Sequence, residues 1–307
     1  MKETIQELHE LKRKKNAIIL AHIYQLPEIQ DIADFVGDSL DLSKKTQQVD
    51  ADIIVFCGVH FMAETASILN PNKKIILPEL NAMCPMANMI NAQKLKTIKS
   101  KYTNPIVVSY INTSADIKAE SNICCTSSNA INVVKSIPKN KEIIFIPDRN
   151  LGAYVQKMSG IKMYLYDGFC PTHNNFILPN HILKLKKQYP LAKVLVHPEC
   201  RLEVISLADK AMSTSQMCQY VSLSKHKEFI IGTETGILHR LQKENPQKKF
   251  YAASTLATCP NMKKITLEKI LSVLINETNV IKISKTIRNK AYLPLAKMTE
   301  IMPCNIY

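Results

Sequence analysis

Three cysteines in this chain are each followed by proline, and they recur at nearly even intervals. They are Cys84, Cys170 and Cys259, separated by 86 and 89 residues in a chain of 307. The even spacing indicates three similar units that each deliver one thiolate to a common centre. Three thiolates suit an iron–sulfur cluster in which one iron keeps an open coordination position. An open iron is a Lewis acid, so the pattern favours dehydration or condensation over simple electron transfer.

The other six cysteines show no such regularity. The chain contains no Cys-x-x-Cys pair, which is the spacing that zinc sites commonly use. Cys124 and Cys125 are adjacent, which is poor geometry for binding one metal, and buried packing is the expected role of the unmatched cysteines. Nine cysteines are an odd number for a disulfide framework, so a reducing compartment is favoured. The cytoplasm is the predicted location, and a plastid stroma also fits.

Candidate acid–base groups follow several predicted strands. The triplet His197-Pro198-Glu199 is the most specific, because the proline holds the two functional side chains in a fixed relation. A single histidine or tyrosine at such a place is as often a buried, hydrogen-bonded group as a catalyst. The candidates are His22, Tyr24, Glu28, Tyr110, Asn112, His173, His197, Glu199 and Arg201.

Three hydroxyl residues occupy matching positions along the chain. Ser39, Ser127 and Thr214 each lie 17 residues beyond the end of a predicted strand, in a polar segment that can open a helix. Hydroxyls beside the free N–H groups of a helix start suit a carboxylate or a phosphate. Each residue alone is typical of an ordinary N-cap. The matched spacing of all three favours an anion site.

The predicted elements explain how these residues come together. Nine apolar, β-rich runs alternate with helical periodicity, three in each third of the chain, which predicts an α/β fold with parallel sheets. From the end of each first strand to the cysteine the distance is 62, 60 and 62 residues. The predicted strands are 17–21, 53–56, 74–77, 105–109, 143–146, 162–166, 193–196, 229–231 and 249–252.

The repeat predicts three pseudo-symmetric, three-layer αβα domains, each with a small parallel sheet, around a central iron–sulfur cluster. The predicted domains are 1–86, 87–172 and 173–279, with the tail 280–307 packing back on the first. An amphipathic helix is expected at the N-terminus, and another helix beginning near Leu267.

Composition argues against two classes of partner. The formal net charge is +14, but the lysines are scattered and tryptophan is absent, so no nucleic-acid partner is expected. No apolar run approaches the roughly 18 residues of a membrane-spanning helix. The positive charge is instead expected to attract anionic substrates.

The chain resembles the quinolinate synthase family, the iron–sulfur enzymes of NAD biosynthesis, over nearly its whole length. The motifs that carry the resemblance include AHIYQLPEIQDIADFVGDSL, VFCGVHFMAETASIL, VSYINTSADIKA, FIPDRNLG, GFCPTH, VHPEC, STSQM, IIGTETGILHRL and CPNMKKITLEKI. Members of this family have three homologous domains around a 4Fe–4S cluster. That architecture agrees with the repeat read from the spacing.

The resemblance implies a ligand set and a reaction. Cys84, Cys170 and Cys259 would hold the 4Fe–4S cluster. The enzyme would condense iminoaspartate with dihydroxyacetone phosphate, release phosphate and water, and close the pyridine ring of quinolinate. Because iminoaspartate hydrolyses readily in water, functional coupling to an aspartate-oxidising enzyme is also implied.

The resemblance further implies residue roles. Glu199 would be the general base and Tyr110 a proton donor or orienting hydroxyl, with Tyr24 and His197 also in the catalytic set. The substrate-binding set would be His22, Ser39, Tyr110, Asn112, Ser127, His173, His197, Glu199, Ser213 and Thr214.

Two alternatives remain open from the sequence. The first is another 4Fe–4S hydro-lyase acting on a small carboxylate, which would keep the three cysteines without needing a phosphate. The second is a basic nucleic-acid-binding protein with structural cysteines, which the scattered lysines disfavour.

Overall fold

Three four-stranded parallel sheets, each flanked by helices, make up the computed structural model, which describes residues 2–304. We call them the first, second and third units. The first unit contains α1 (Lys2–Lys14), β1 (Ala17–His22), α2 (Pro27–Ile32), β2 (Phe35–Gly37), α3 (Ser39–Gln48), β3 (Ile53–Cys57), α4 (His60–Leu69), β4 (Lys74–Ile76) and a 3₁₀ turn (Met86–Asn88).

The second and third units repeat this alternation. The second contains α5 (Ala92–Lys99), β5 (Ile106–Tyr110), α6 (Ala115–Ala119), β6 (Ile123–Cys125), α7 (Ala130–Lys135), β7 (Ile143–Ile146), α8 (Arg149–Ser159), β8 (Tyr164–Leu165) and α9 (Pro171–Phe176). The third contains α10 (Pro179–Gln188), β9 (Lys193–Val196), α11 (Leu202–Ser206), β10 (Lys210–Ala211), α12 (Thr214–Leu223), β11 (Glu228–Gly232), α13 (Ile237–Glu244), β12 (Lys249–Ala252) and a 3₁₀ turn (Met262–Lys264).

All three sheets have the same strand order. It is β2-β1-β3-β4 in the first unit, β6-β5-β7-β8 in the second and β10-β9-β11-β12 in the third, and every pairing is parallel. The prediction of three pseudo-symmetric αβα domains is therefore confirmed. The boundaries after residues 86 and 172 stay predictions.

The nine predicted strands are confirmed, with ends shifted by up to two residues. The central strands β3 and β7 are buried along their whole length, as expected for parallel sheets covered by helices on both faces. The sequence analysis missed the edge strands β2, β6 and β10. They have only two or three residues. The strands β4 and β8 are equally short, but the apolar runs that predict them extend beyond the strand ends.

Two further helices complete the chain, and the last one links the units. The helix predicted near Leu267 is confirmed as α14 (Leu267–Asn276), which packs on α1, while α15 (Lys285–Glu300) packs mainly against α6 and β6 and also against α4. Beyond α15, the Cys304 amide donates to the Ser128 carbonyl at 2.7 Å, and the Gln216 side chain donates to the Cys304 carbonyl at 2.8 Å. The C-terminal segment thus contacts all three units.

No helix between residues 2 and 304 is both long enough and apolar enough to cross a membrane.

Candidate active site

The carboxyl ends of the three sheets face one cavity. It contains about 690 Å³ of space outside the protein atoms, including its opening to solvent. The predicted residues that line it are His22, Tyr24, Ser39, Cys84, Tyr110, Asn112, Ser127, Cys170, His173, His197, Glu199, Thr214 and Cys259.

Ser213, Glu28 and Arg201 are not among the residues that line this cavity. Ser213 is fully buried and caps α12, where its hydroxyl accepts from the Gln216 amide at 3.3 Å. Its hydroxyl oxygen also lies 2.8 Å from that of Ser128. Ser213 therefore supports the cavity wall from behind.

Each of the three cysteines stands at the start of a helical turn. Pro85 and Pro260 precede 3₁₀ turns, and Pro171 is the first residue of α9. Proline suits this position because its fixed φ matches the helix and its missing N–H is not needed there. The sequence therefore builds the same local structure around each sulfur.

The same two influences act on the pKa of each of the three cysteine thiols. Burial raises the pKa of Cys84 to about 12 and raises the pKa of Cys170 and of Cys259, while backbone N–H groups of the following turn act in the opposite direction. These thiols need a strongly electrophilic partner to become thiolates. Metal ions supply that by replacing the proton.

One group of three side chains within residues 2–304 has the spacing that a single metal ion needs. Cys170, His173 and Glu199 have ligand atoms within 4.8 Å of one another. Cys84, Cys170 and Cys259 do not form such a group, although all three line the same cavity.

Glu199 lies at the centre of a hydrogen-bonded chain. The Tyr110 hydroxyl donates to its Oε1 at 2.5 Å, and His173 Nδ1 lies 2.7 Å from its Oε2. Burial would raise the pKa of Glu199, but the two nearby histidines and the hydrogen bonds from His173 and Tyr110 outweigh it and lower the pKa to about 2. Glu199 is therefore an ionised, hydrogen-bond-accepting carboxylate.

The chain continues beyond His173 to a second tyrosine. His173 Nε2 lies 2.8 Å from the Thr233 hydroxyl, which is 2.5 Å from the Tyr24 hydroxyl. Burial, with the charge of Glu199, raises the pKa of Tyr24 and of Tyr110 well above 10, so both keep their protons at neutral pH. Tyr24, Thr233, His173, Glu199 and Tyr110 thus form one continuous proton-carrying chain.

His22 and His197 are set up as neutral hydrogen-bond donors. The backbone amides of Tyr24 and Glu199 donate to their Nδ1 atoms at 3.2 and 3.3 Å. A backbone amide can only donate, so each neutral ring carries its proton on Nε2. Burial lowers the pKa of His22 to about 4 and that of His197 to about 3, which keeps both rings neutral at pH 7.

The matched hydroxyl residues Ser39, Ser127 and Thr214 line the same cavity as these histidines. Ser39 and Thr214 are the first residues of α3 and α12, and the Ser127 hydroxyl is 3.1 Å from His197 Nε2. Helix starts offer free amides, so the two helix-opening residues present donors for an anion.

A buried hydrogen-bond network joins the three units behind these hydroxyls. Asp38 caps α3 by accepting from the Leu40 and Asp41 amides at 2.9 and 3.0 Å, and its other oxygen accepts from the Ser128 hydroxyl at 3.0 Å. Ser128 is in turn in contact with Ser213 of the third unit. The network fixes the relative positions of the three anion-facing residues.

One polar atom in the cavity has no protein partner. The side-chain oxygen of Asn112 is buried and, among the described residues, accepts no hydrogen bond. Such atoms are uncommon in folded proteins and normally receive a bond from water or a ligand. Asn112 is therefore positioned to accept a hydrogen bond from a bound molecule.

Comparison with known proteins identifies the family of the chain. The family model described as the Quinolinate synthetase A protein matches residues 6–300. The chain belongs to this family.

Members from bacteria and archaea are similar along their whole length. The quinolinate synthase of Desulforudis audaxviator is 52% identical over 299 residues, covering 97% of this chain and 98% of the relative. That of Methanosarcina barkeri is 50% identical over 299 residues, with the same coverage. That of Thermodesulfovibrio yellowstonii is 51% identical over 300 residues, again covering 97% and 98%.

Sequence reasoning missed three residues of this family member's site: Thr233, Asp38 and Ser128. Asp38 had a readable signal, since aspartate before an apolar helical run is a preferred N-cap. Thr233 directly follows β11 and so sits at a strand end, where ligand-binding groups collect. Ser128 had no signal, because its contacts depend on how the units meet.

Proposed function

We propose that this chain is a quinolinate synthase that condenses iminoaspartate with dihydroxyacetone phosphate to give quinolinate, phosphate and water. The observation that carries the proposal is one cavity that combines three helix-starting cysteines with the Glu199–Tyr110 pair and three matched hydroxyls. Membership in the Quinolinate synthetase A protein family supports it. The product belongs to NAD biosynthesis.

The cofactor proposed is a 4Fe–4S cluster bound by Cys84, Cys170 and Cys259. When bound, it supplies a Lewis-acid iron that can polarise a substrate oxygen and assist the loss of hydroxide. The fit is supported by the convergence of the three cysteines on one cavity and by the N–H groups that face each sulfur. Neighbouring N–H donors favour an anionic thiolate over a thiol.

The proposed substrate-binding groups are neutral donors. His22 and His197 carry their protons on Nε2, with that of His197 facing the Ser127 hydroxyl, and Ser39, Ser127 and Thr214 offer hydroxyls; these two kinds of donor suit carboxylates and a phosphate. Neutral donors bind an anion without forming a buried ion pair, whose desolvation cost is high. Asn112 would accept a hydrogen bond from a substrate N–H or O–H. Ser213 would act indirectly, by holding the start of α12.

The proposed acid–base group is Glu199. Its ionised, buried carboxylate can accept a proton from a carbon or nitrogen held against it, but its pKa of about 2 makes it a weak base that has to pass the proton on. The proton can then be shared with His173, which lies 2.7 Å away, and on through Thr233 to Tyr24. Tyr110, whose hydroxyl already donates to Glu199, would orient the carboxylate and return a proton to a leaving oxygen.

We infer a cytoplasmic location, with a plastid stroma as the other compartment that fits. The nine cysteines are all free thiols, as expected where thiols are kept reduced. Because iminoaspartate hydrolyses readily, an aspartate-oxidising enzyme is the proposed source of substrate.

The function is tested with protein reconstituted with iron and sulfide under anaerobic conditions. Dihydroxyacetone phosphate is added with iminoaspartate formed in place from oxaloacetate and ammonia, and quinolinate is measured by mass spectrometry. We expect quinolinate only when both substrates and the cluster are present. A chain that holds the cluster but makes no quinolinate, or that dehydrates small hydroxy acids without needing phosphate, would contradict the proposal.

A further inference from the structure

The strand register defines three equivalent positions beside the cluster ligands. In each unit, the residue just before the strand-end histidine or tyrosine pairs with a residue of the neighbouring strand. Two positions beyond that paired residue lies the position compared below, which lines the cavity in the first and third units. The pairs are Ala21 with Cys57, Ser109 with Ile146, and Val196 with Gly232. The equivalent positions are therefore Val59, Asp148 and Glu234, all of which are buried.

In the second and third units this position holds a carboxylate that accepts from a cysteine. Asp148 Oδ2 accepts from the Cys170 amide at 3.2 Å, and Glu234 Oε1 accepts from the Cys259 amide at 3.0 Å. Both acids have 0% exposure. Twenty-odd residues separate each acid from its cysteine, so each bond closes a long loop at the point where the cysteine enters the cavity.

Each carboxylate is itself held in place by further contacts. Asp148 Oδ1 accepts from the Leu151 amide at 2.8 Å, while Glu234 Oε2 accepts from the Gly236 amide at 2.6 Å. The Lys263 ammonium lies 3.0 Å from Glu234 Oε1. A Cβ at position 236 would lie 2.8 Å from both Glu234 and Lys263 atoms, so glycine leaves the room that this arrangement needs.

The first unit has no counterpart of this contact. Val59 occupies the equivalent position and its side chain cannot accept a hydrogen bond. Within residues 2–304, the Cys84 amide donates to no acceptor. The nearest hydrogen bond that attaches the Cys84 loop to another segment runs from the His60 amide to the Ala82 carbonyl at 2.8 Å, two residues before the cysteine.

We propose that Asp148 and Glu234 are positioning residues that fix Cys170 and Cys259 as cluster ligands, and that Cys84 is the ligand released first when the cluster is lost. The inference rests on the proposed function for the identity of the three ligands. A hydrogen bond from the ligand's own amide to a fully buried acidic side chain holds the backbone of two ligands and not of the third. Local opening starts where such contacts are fewest.

The first experiment measures how fast a chelator removes iron from the reconstituted, substrate-free holoprotein. Asp148→Val and Glu234→Val copy the first unit's residue and remove the acceptor, so iron loss should become at least tenfold faster. Asp148→Asn and Glu234→Gln keep a side-chain oxygen that can accept the amide, so they should stay within threefold of wild type. The control is Asp209→Val, which removes a carboxylate that accepts from the Val194 amide at 2.8 Å, away from any ligand cysteine.

The second experiment uses the wild-type holoprotein during slow iron removal. Free thiols are trapped with iodoacetamide at intervals and mapped by mass spectrometry. Cys84 should be alkylated before Cys170 and Cys259. Simultaneous labelling of the three, or labelling of Cys170 or Cys259 first, would overturn the inference.

The two experiments separate this inference from the proposed function. A wild-type chain that takes up no iron–sulfur cluster would overturn both. A stable cluster whose rate of loss is the same in wild type, the valine variants and Asp209→Val would overturn the inference alone. Equal acceleration in the valine and amide variants would also overturn it, since the amide variants retain the acceptor.

Discussion

The cavity has two ends that differ in how they handle charge. At one end, Cys84, Cys170 and Cys259 are thiols whose pKa is raised by burial, a setting suited to electrophilic metal. At the other, His22 and His197 are kept neutral by burial and present N–H groups to an anion. Glu199 lies between them, bonded to His173 beside Cys170 and to Tyr110. One cavity thus has separate places for a metal cluster, a base and anionic groups.

Substitution of any one ligand cysteine should prevent the cysteines from binding the cluster. Cys84→Ala, Cys170→Ala or Cys259→Ala should each abolish the cluster and with it quinolinate formation, because three ligands are the minimum set proposed. Iron and sulfide analysis after anaerobic reconstitution measures this. The matched control is Cys218→Ala, since Cys218 is buried in the core of the third unit and does not line the cavity. Loss of iron in the control would show that the ligand assignment is wrong.

Removal of the central carboxylate should separate chemistry from cluster binding. Glu199→Gln should keep the iron content while kcat falls by about 10²–10⁴-fold, the usual range for a general base. The measurement is steady-state turnover beside the visible absorbance of the cluster. A rate within a few-fold of wild type would remove Glu199 as the base.

Alanine substitutions at two neighbouring serines should affect different properties, substrate binding for one and stability for the other. Ser127 lines the cavity, so Ser127→Ala should raise the KM for the anionic substrate by about tenfold through the loss of one hydrogen bond to a charged group. Ser128 lies behind it and contacts Asp38, so Ser128→Ala should lower the free energy of unfolding by about 1 kcal/mol. The KM from steady-state kinetics and the free energy from denaturant unfolding are measured for both variants. Equal effects on KM would contradict the division between wall and support.

The neutral histidines should make the folded protein less stable in weak acid. Their folded pKa values, about 4 and about 3, lie below the unfolded value near 6.5, so the unfolded chain binds more protons between these limits. The free energy of unfolding should therefore fall as the pH decreases from about 6.5 to 4. Glu199 has a folded pKa of about 2 against about 4.5 in the unfolded chain, so the stability that it contributes is lost only at lower pH, between about 4.5 and 2.

Unfolding of the metal-free protein across this pH range tests the effect. His197→Gln should flatten the decline, while His226→Gln, at an exposed position, should leave it unchanged. A decline of the same slope in all three proteins would show that the buried histidines do not cause it.

Much of the fold followed from the sequence because its regularities are local. Nine strands were visible because each lies in an apolar run, even the short β4 and β8, and the helix starts at Ser39 and Thr214 carry polar cap signals. The edge strands β2, β6 and β10 were not visible, since their two or three residues pair only because a longer neighbour already exists. Short strands are a consequence of tertiary structure and carry little sequence pattern of their own.

The residues of the site also fall into those that the sequence predicts and those that it does not. Residues at matched spacing, such as the three cysteines and the hydroxyls, could be predicted because the repeat itself places them together. Thr233 and the contact of Asp38 with Ser128 could not, because these bonds cross between units whose relative position the sequence does not encode locally. The bonds from Cys170 and Cys259 to Asp148 and Glu234 lie within single units, but each joins residues 22 or 25 positions apart, which no local pattern in the sequence reveals.

Mössbauer spectroscopy of protein reconstituted with ⁵⁷Fe tests most directly whether three cysteines hold a cluster with one open iron. About four irons per chain are expected, one of them distinct from the other three and changed by adding quinolinate. Stoichiometric zinc without iron, or irons that are all equivalent and insensitive to quinolinate, would contradict it.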